Sequence, residues 1–194
     1  METTKLIGPE LIDKSGRKGE FLKWGSAVAA SQNNGCIYFI PCTANWVVKV
    51  DPRTGEVKAI GDAELLPELD GFKWRGACEG VDGCIYAVPW EAPHILKINP
   101  KDDSVTMFGD LTKDYGEKPW GWFGCALAPD DNIYAVPYGA KYILKIETES
   151  NGDGGGMVAP FGPDLSEHGS SQWAGAICVD STVFGIPHSS DRVL

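Results

Sequence analysis

The 194-residue chain has only three histidines and three methionines, no apolar run approaching 18 residues, and no stretch that sustains apolar residues at helical spacing. The first scarcity leaves little material for a histidine-based metal centre. The second argues against a membrane-spanning helix, and with no N-terminal apolar h-region no signal peptide is expected; the third excludes helical bundles and helix-pair solenoids. Basic clusters are missing too: 17 Lys and Arg stand against 27 Asp and Glu, a net charge of −10, so neither a phosphate backbone nor an anionic membrane surface is an expected partner. No G-x-S-x-G, H-E-x-x-H or P-loop is present. With 43% apolar and 23% charged residues, the composition is that of a folded domain with one substantial core.

The six cysteines form no C-x-x-C pair and no Cys/His spacing suited to zinc. Cys36 and Cys84 both precede an Ile-Tyr pair, while Cys78, Cys125 and Cys178 lie in small-residue segments after tryptophans. Such placement fits reduced core residues, and no N-x-S/T sequon occurs. The expected location is therefore intracellular, cytoplasmic by default, an organelle remaining open if a targeting segment has been removed.

What the chain does contain is one sentence written four times. CIYFIPCTANWVVKVDP begins at Cys36, CIYAVPWEAPHILKINP at Cys84, NIYAVPYGAKYILKIET at Asn132, and VFGIPHSSDRVL ends the chain. The marker prolines are Pro41, Pro89, Pro137 and Pro187. Each copy divides into a small-residue piece after Trp24, Trp74, Trp122 or Trp173, a turn, a β-branched and aromatic piece ending at proline, an alternating piece, and a last piece ending in an apolar-Gly pair. Four short strands per period of 40–50 residues predict the antiparallel blade of a β-propeller. The small-residue strand would be innermost, where strands crowd, and Tyr38, Tyr86, Tyr134 and Phe184 would fill the wedges between blades.

We expect an all-β fold of four-stranded antiparallel blades, about four in this chain, as one domain over residues 1–194. The repeats run approximately over 9–61, 62–109, 110–162 and 163–194 plus 1–8. KLIGPEL near the N-terminus matches the fourth strand, and the chain ends within a third strand, so the N-terminal strand is expected to close the last blade and remove its open edge. The alternative is a fragment of a larger propeller, completed by a second copy or another chain.

W-x-G, then IY-x-x-P, a variable loop, ILKI-x-P and an apolar-Gly pair resemble the blades of the broad kelch, NHL and regucalcin-like propeller superfamily. The pattern is closest to uncharacterised algal and protist repeat proteins that read G-x-IY-x-x-P and VLKIDP. The resemblance covers nearly the whole chain and implies a fold rather than a function.

The framework repeats, whereas the loops after each proline do not, and variable loops on a rigid scaffold are where function concentrates. Their candidate binding residues are Asn45 and Trp46, then Trp90, Glu91 and His94, then Tyr138, Lys141 and Tyr142, and finally His188, Asp191 and Arg192. Rings, two histidines and both signs of charge on one rim suit a protein partner. The leading expectation is a non-catalytic binding or scaffold module without a cofactor, serving as an accessory subunit or interaction platform, with a homodimer or ring completion by another chain as possible assemblies. Similarity to regucalcin-like lactonases implies the alternative of a metal-dependent hydrolase, with a divalent cation such as Ca or Mg in the channel and Glu79 as its weak ligand candidate, Asp180 facing inward elsewhere, and Asn45, Glu91 and Asp191 above. NGDGGG, starting at Asn151, reads as a hairpin loop on the opposite face.

Overall fold

The computed structural model describes residues 6–9, 22–61, 66, 71–112, 121–148 and 156–194. The chain forms β1 (Trp24–Ala29), β2 (Ile37–Pro41), β3 (Val47–Val50), β4 (Val57–Ile60), β5 (Trp74–Glu79), β6 (Ile85–Pro89), β7 (Ile95–Asn99) and β8 (Ser104–Phe108). It continues with β9 (Trp122–Leu127), β10 (Asn132–Pro137), β11 (Ile143–Glu147), β12 (Val158–Phe161), β13 (Trp173–Val179) and β14 (Thr182–Pro187). Three antiparallel sheets, β1–β4, β5–β8 and β9–β12, are complete meanders, and β13 pairs with β14 in a fourth. This is the propeller blade expected from the repeat. Among the described residues, no helix is long and apolar enough to cross a membrane.

The small-residue strands are innermost, with β1 packed on β5, β5 on β9, and β9 on β13. Their spacing is set by glycine. A Cβ at Gly76 would lie 2.7 Å from the Phe123 carbonyl oxygen and 2.8 Å from the Gly124 Cα, so these backbones approach more closely than any side chain permits. Between blades, the outer halves of the sheets diverge and large residues fill the wedge. Tyr38, Ile40, Trp74, Ile85 and Leu96 pack together between the first two blades; Tyr86, Val88, Trp122, Ile133 and Leu144 do so between the next two. The third wedge is thinner, with Val136, Leu165 and Trp173 at its centre.

The N-terminal closure expected from KLIG is not formed among the described residues. Leu6 to Pro9 make no ladder with the last blade, whose sheet holds β13 and β14 plus a start of a third strand, in which the Gly185 N–H donates to the Leu194 carbonyl at 2.8 Å. Nor do β13 and β1 pack as successive inner strands do, so the blades form an open arc. The described residues form a partial propeller. Most of NGDGGG lies outside the described residues.

Each repeat tryptophan locks the loop that follows its neighbouring strand. The indole N–H of Trp24 donates to the Trp46 carbonyl at 3.3 Å, that of Trp74 to His94 at 2.8 Å, that of Trp122 to Tyr142 at 2.9 Å and that of Trp173 to Arg192 at 2.9 Å. A Trp122→Phe variant should lose about 1–2 kcal/mol in denaturant unfolding, because the Tyr142 carbonyl forfeits its donor.

Candidate functional site

A chain of backbone hydrogen bonds runs around the channel mouth from blade to blade. Cys42 N–H donates to Lys23, Lys73 to Cys42, Trp90 to Lys73, Gly121 to Trp90, Tyr138 to Gly121, Gln172 to Tyr138 and His188 to Gln172, all at 2.8–3.0 Å. It fixes the first residue of each variable loop, Cys42, Trp90, Tyr138 and His188, on a common ring. The inner strands add a second set of side chains. In β5, Trp74 pairs with Pro89 and Gly76 with Val88, which leaves Arg75 on a bulge; β9 places Phe123 on the equivalent bulge between Trp122 and Gly124. A bulge re-aims its side chain, here toward the mouth.

These positions converge on an aromatic ladder across three blades. Phe72 stacks on Trp90 with ring centroids 4.6 Å apart, Trp90 meets Phe123 edge-on at 5.4 Å and Tyr138 at 5.9 Å, Phe123 stacks on Tyr138 at 4.9 Å, and Tyr138 meets His188 at 5.4 Å. The Arg75 guanidinium lies 4.2 Å from the Phe123 ring centre and 5.4 Å from that of Trp90. Among the described residues, it has no carboxylate partner within ion-pair distance. The Trp90 indole N–H is buried and has no acceptor among the described residues. A buried donor left unpaired costs about 1–3 kcal/mol, so packing alone does not favour tryptophan there. On the first blade, Gly25 and Cys42 occupy the matching positions and supply no ring. The Cys42 thiol is pushed up to about 11, mainly by burial and against the pull of Arg75 and Lys73, which keeps it protonated.

The expected rim residues divide by what they do. Trp90, Tyr138 and His188 join the ladder. Asn45 Oδ1 accepts from the fully buried Lys73 Nζ at 2.9 Å, Glu91 Oε2 accepts the Phe72 N–H at 3.1 Å, and His94 Nδ1 donates to the Gly109 carbonyl at 3.0 Å, so these three hold loops to strands. Trp46, His94, Tyr142 and Arg192 give their carbonyls to the repeat tryptophans. Lys141 and Asp191 are exposed on the outer rim. Phe72, Arg75 and Phe123 were not among the expected site residues. Their signal is the x of W-x-G, which reads Gly25, Arg75, Phe123 and Ala174 within an otherwise small-residue strand.

Glu79 lies at the other end of β5, roughly 16 Å along the strand from Trp74. Its carboxylate accepts the Ser31 N–H at 3.0 and 3.1 Å and the Ser31 hydroxyl at 2.7 Å, tying the second blade to the turn of the first. Asn45, Glu91 and Asp191 belong to loops at the opposite end. No group of three His, Cys, Asp or Glu suited to a metal ion occurs among the described residues. The six cysteines are free, and the thiols of Cys78 and Cys125 meet at 3.4 Å across two blades.

No protein-family model matches the chain, and no characterised protein matches it by sequence. Its fold is similar to that of a streptogramin B lyase, with 16% identity and a TM-score of 0.65 over 88% of this chain and 50% of that one. The virginiamycin B lyase of Staphylococcus aureus shows 15% identity and a TM-score of 0.61 over 86% and 50%. The RRP9 WD40 repeats show 13% and 0.57 over 87% and 46%. The chain therefore has the propeller fold and spans about half the length of these proteins.

Proposed function

We propose that the protein is a non-catalytic binding module that engages a protein partner through the aromatic ladder at its channel mouth. The observation that carries this reading is the Arg75 guanidinium, held against the Phe123 and Trp90 rings with no carboxylate in ion-pair distance among the described residues. A cation clamped between rings is pre-oriented and partly desolvated, so an incoming carboxylate gains a planar, two-pronged donor without ordering it. The rings alongside accept an aromatic or aliphatic side chain of the same segment. The preferred partner segment therefore combines an acidic residue with an apolar one, although the net charge of −10 favours basic surroundings in the rest of the partner. The repeat pattern supports placing the chain with kelch, NHL and regucalcin-like propellers, and the reduced cysteines support an intracellular site of action.

The test uses a library of short peptides with one Asp or Glu next to an aromatic residue, read by fluorescence anisotropy. Trp90→Ala should weaken the best binder by more than about 1 kcal/mol, and Arg75→Ala by a similar amount, while Lys58→Ala on an outer strand should leave it unchanged. Equal affinities in all three variants would remove the ladder from the binding surface. A hydrolytic role would require Glu79 to serve a metal; its engagement with Ser31 supports an interblade tie instead.

A further inference from the structure

The two ends of the arc are complementary to each other. On the last blade, Phe184 and Ile186 occupy the positions of Tyr38 and Ile40, and of Tyr86 and Val88, which are fully buried against the next blade; Ile186 is instead 52% exposed. Val193 at the start of the third strand is 64% exposed, and at the other end Leu6 and Ile7 are 97% and 50% exposed. A groove of about 570 Å3 lies on the other side of the last blade, between Tyr134, Val136, Ile143 and Phe161 of the third blade and Val183 and Leu194 of the last. It lies where the outer strands of a complete fourth blade would pack.

Three features identify what fits. In the complete blades, the fourth strand enters opposite the third with Val47 facing Ile60, Ile95 facing Phe108 and Ile143 facing Phe161. By the same register, Val193 faces Ile7 and Leu194 faces Leu6. Second, the N-terminal residues already hold a fourth-strand position. Gly8, at φ +81°, abuts Val57 of the first blade as Gly61 and Gly109, at +83° and +70°, abut Val105 and Val158 of the blades that follow them. Third, the polar contacts match. Tyr38 donates its hydroxyl to Asp103 of the next blade at 2.8 Å, whereas Phe184 has no hydroxyl, and the residue equivalent to Asp103 on the first blade is Gly55, which has no acceptor side chain. Phe184 against Gly55 leaves nothing unpaired.

We propose that this end face is an interface for a second copy of the chain, whose Leu6–Ile7 segment adds to the strand at Val193–Leu194 as the fourth strand of a shared blade. The joint is heterologous, because one end meets the other, and two copies joined at both ends form a closed ring. It is strand addition to an open edge, with main-chain bonds giving affinity and alternate side chains giving register.

Sedimentation of the 194-residue protein should give twice the 20.9 kDa of one chain. Ile186→Glu, a change at a position exposed in the single chain, should raise the dissociation constant about tenfold or more without altering the blade fold. The doubly substituted protein carrying Ile7→Cys and Val193→Cys should, on mild oxidation, give a covalent dimer that neither single variant gives. A monomer at micromolar concentration, or an intramolecular cross-link in the double variant, would overturn the proposal and assign the face to another chain or to closure within one copy.

Discussion

Gly124→Val should prevent the blades from assembling rather than trim their stability. A Cβ at this position would lie 2.5 Å from the Gly175 Cα and 2.9 Å from the Ala176 nitrogen, both backbone atoms of β13. No rotamer change relieves such a contact; β9 and β13 must move apart, and Trp173 between them loses its packing. Overpacking a core commonly costs about 1–3 kcal/mol, and a site whose obstruction is backbone belongs at or beyond the upper end. We expect a loss of about 3 kcal/mol or more by denaturant titration of tryptophan fluorescence, or an insoluble protein. Gly35→Ala is the control: nothing lies within 4 Å of its Cβ, and only the φ of +74° opposes the change, worth about 1 kcal/mol. If Gly124→Val were within 1 kcal/mol of the parent, the inner strands would have to be far more separable than their geometry states.

The same glycine shows why much of the fold was legible. The four-stranded blade, the innermost small-residue strand and the wedge tyrosines all follow from a period of 48 residues, since each repeat solves the same packing problem. Tyr38 and Tyr86 are buried as that logic requires, and Tyr134 and Phe184 are less so because each wedge depends on the blade that follows. The site was only half legible. Trp90, Tyr138 and His188 announce themselves as variable residues after a repeated proline. Arg75 and Phe123 do not, because a one-residue bulge decides whether the residue after Trp points into the wedge or toward the mouth, and nothing in strand alternation signals that bulge. Glu79, conspicuous as an acid among small residues, belongs to Ser31, a partner 48 positions away and so one full repeat distant. KLIG matches the fourth strand in sequence, and Gly8 lies against Val57 as Gly61 lies against Val105; which blade the segment joins depends on whether the arc closes, a property of the summed angles between sheets that no single repeat encodes.

Asp82→Leu should produce a large loss, second to that at the inner-strand glycines, and the loss should depend on pH. The Asp82 carboxylate accepts the Cys84 N–H at 3.0 Å, the Tyr86 hydroxyl at 2.8 Å and the Lys97 ammonium at 3.0 Å. Lys97 is held against the Tyr86 ring, 5.1 Å from its centre, and the Lys97 and Asp82 side chains are only 11% and 16% exposed. Removing the anion strands a largely buried cation, a mechanism that costs about 3 kcal/mol or more, while the Tyr86 hydroxyl keeps the Thr148 carbonyl at 3.3 Å as an acceptor. The matching carboxylate of the third blade, Asp130, also accepts from its tyrosine, Tyr134 at 2.8 Å, yet is solvent-exposed, so Asp130→Leu should cost about 1 kcal/mol or less. Partial burial alone would raise the Asp82 pKa, but the donated hydrogen bonds outweigh it and hold the group below the ordinary carboxylate range. A depressed folded pKa stabilises fully above the unfolded value of about 4 and loses that contribution as pH falls through the folded value. The stability gap between parent and Asp82→Leu should therefore stay constant from about pH 5 to 7 and narrow below about pH 4, in urea titrations at each pH. A gap that persisted unchanged under acid would assign the loss to side-chain packing, and the charge network joining the turn to β7 would lose its role.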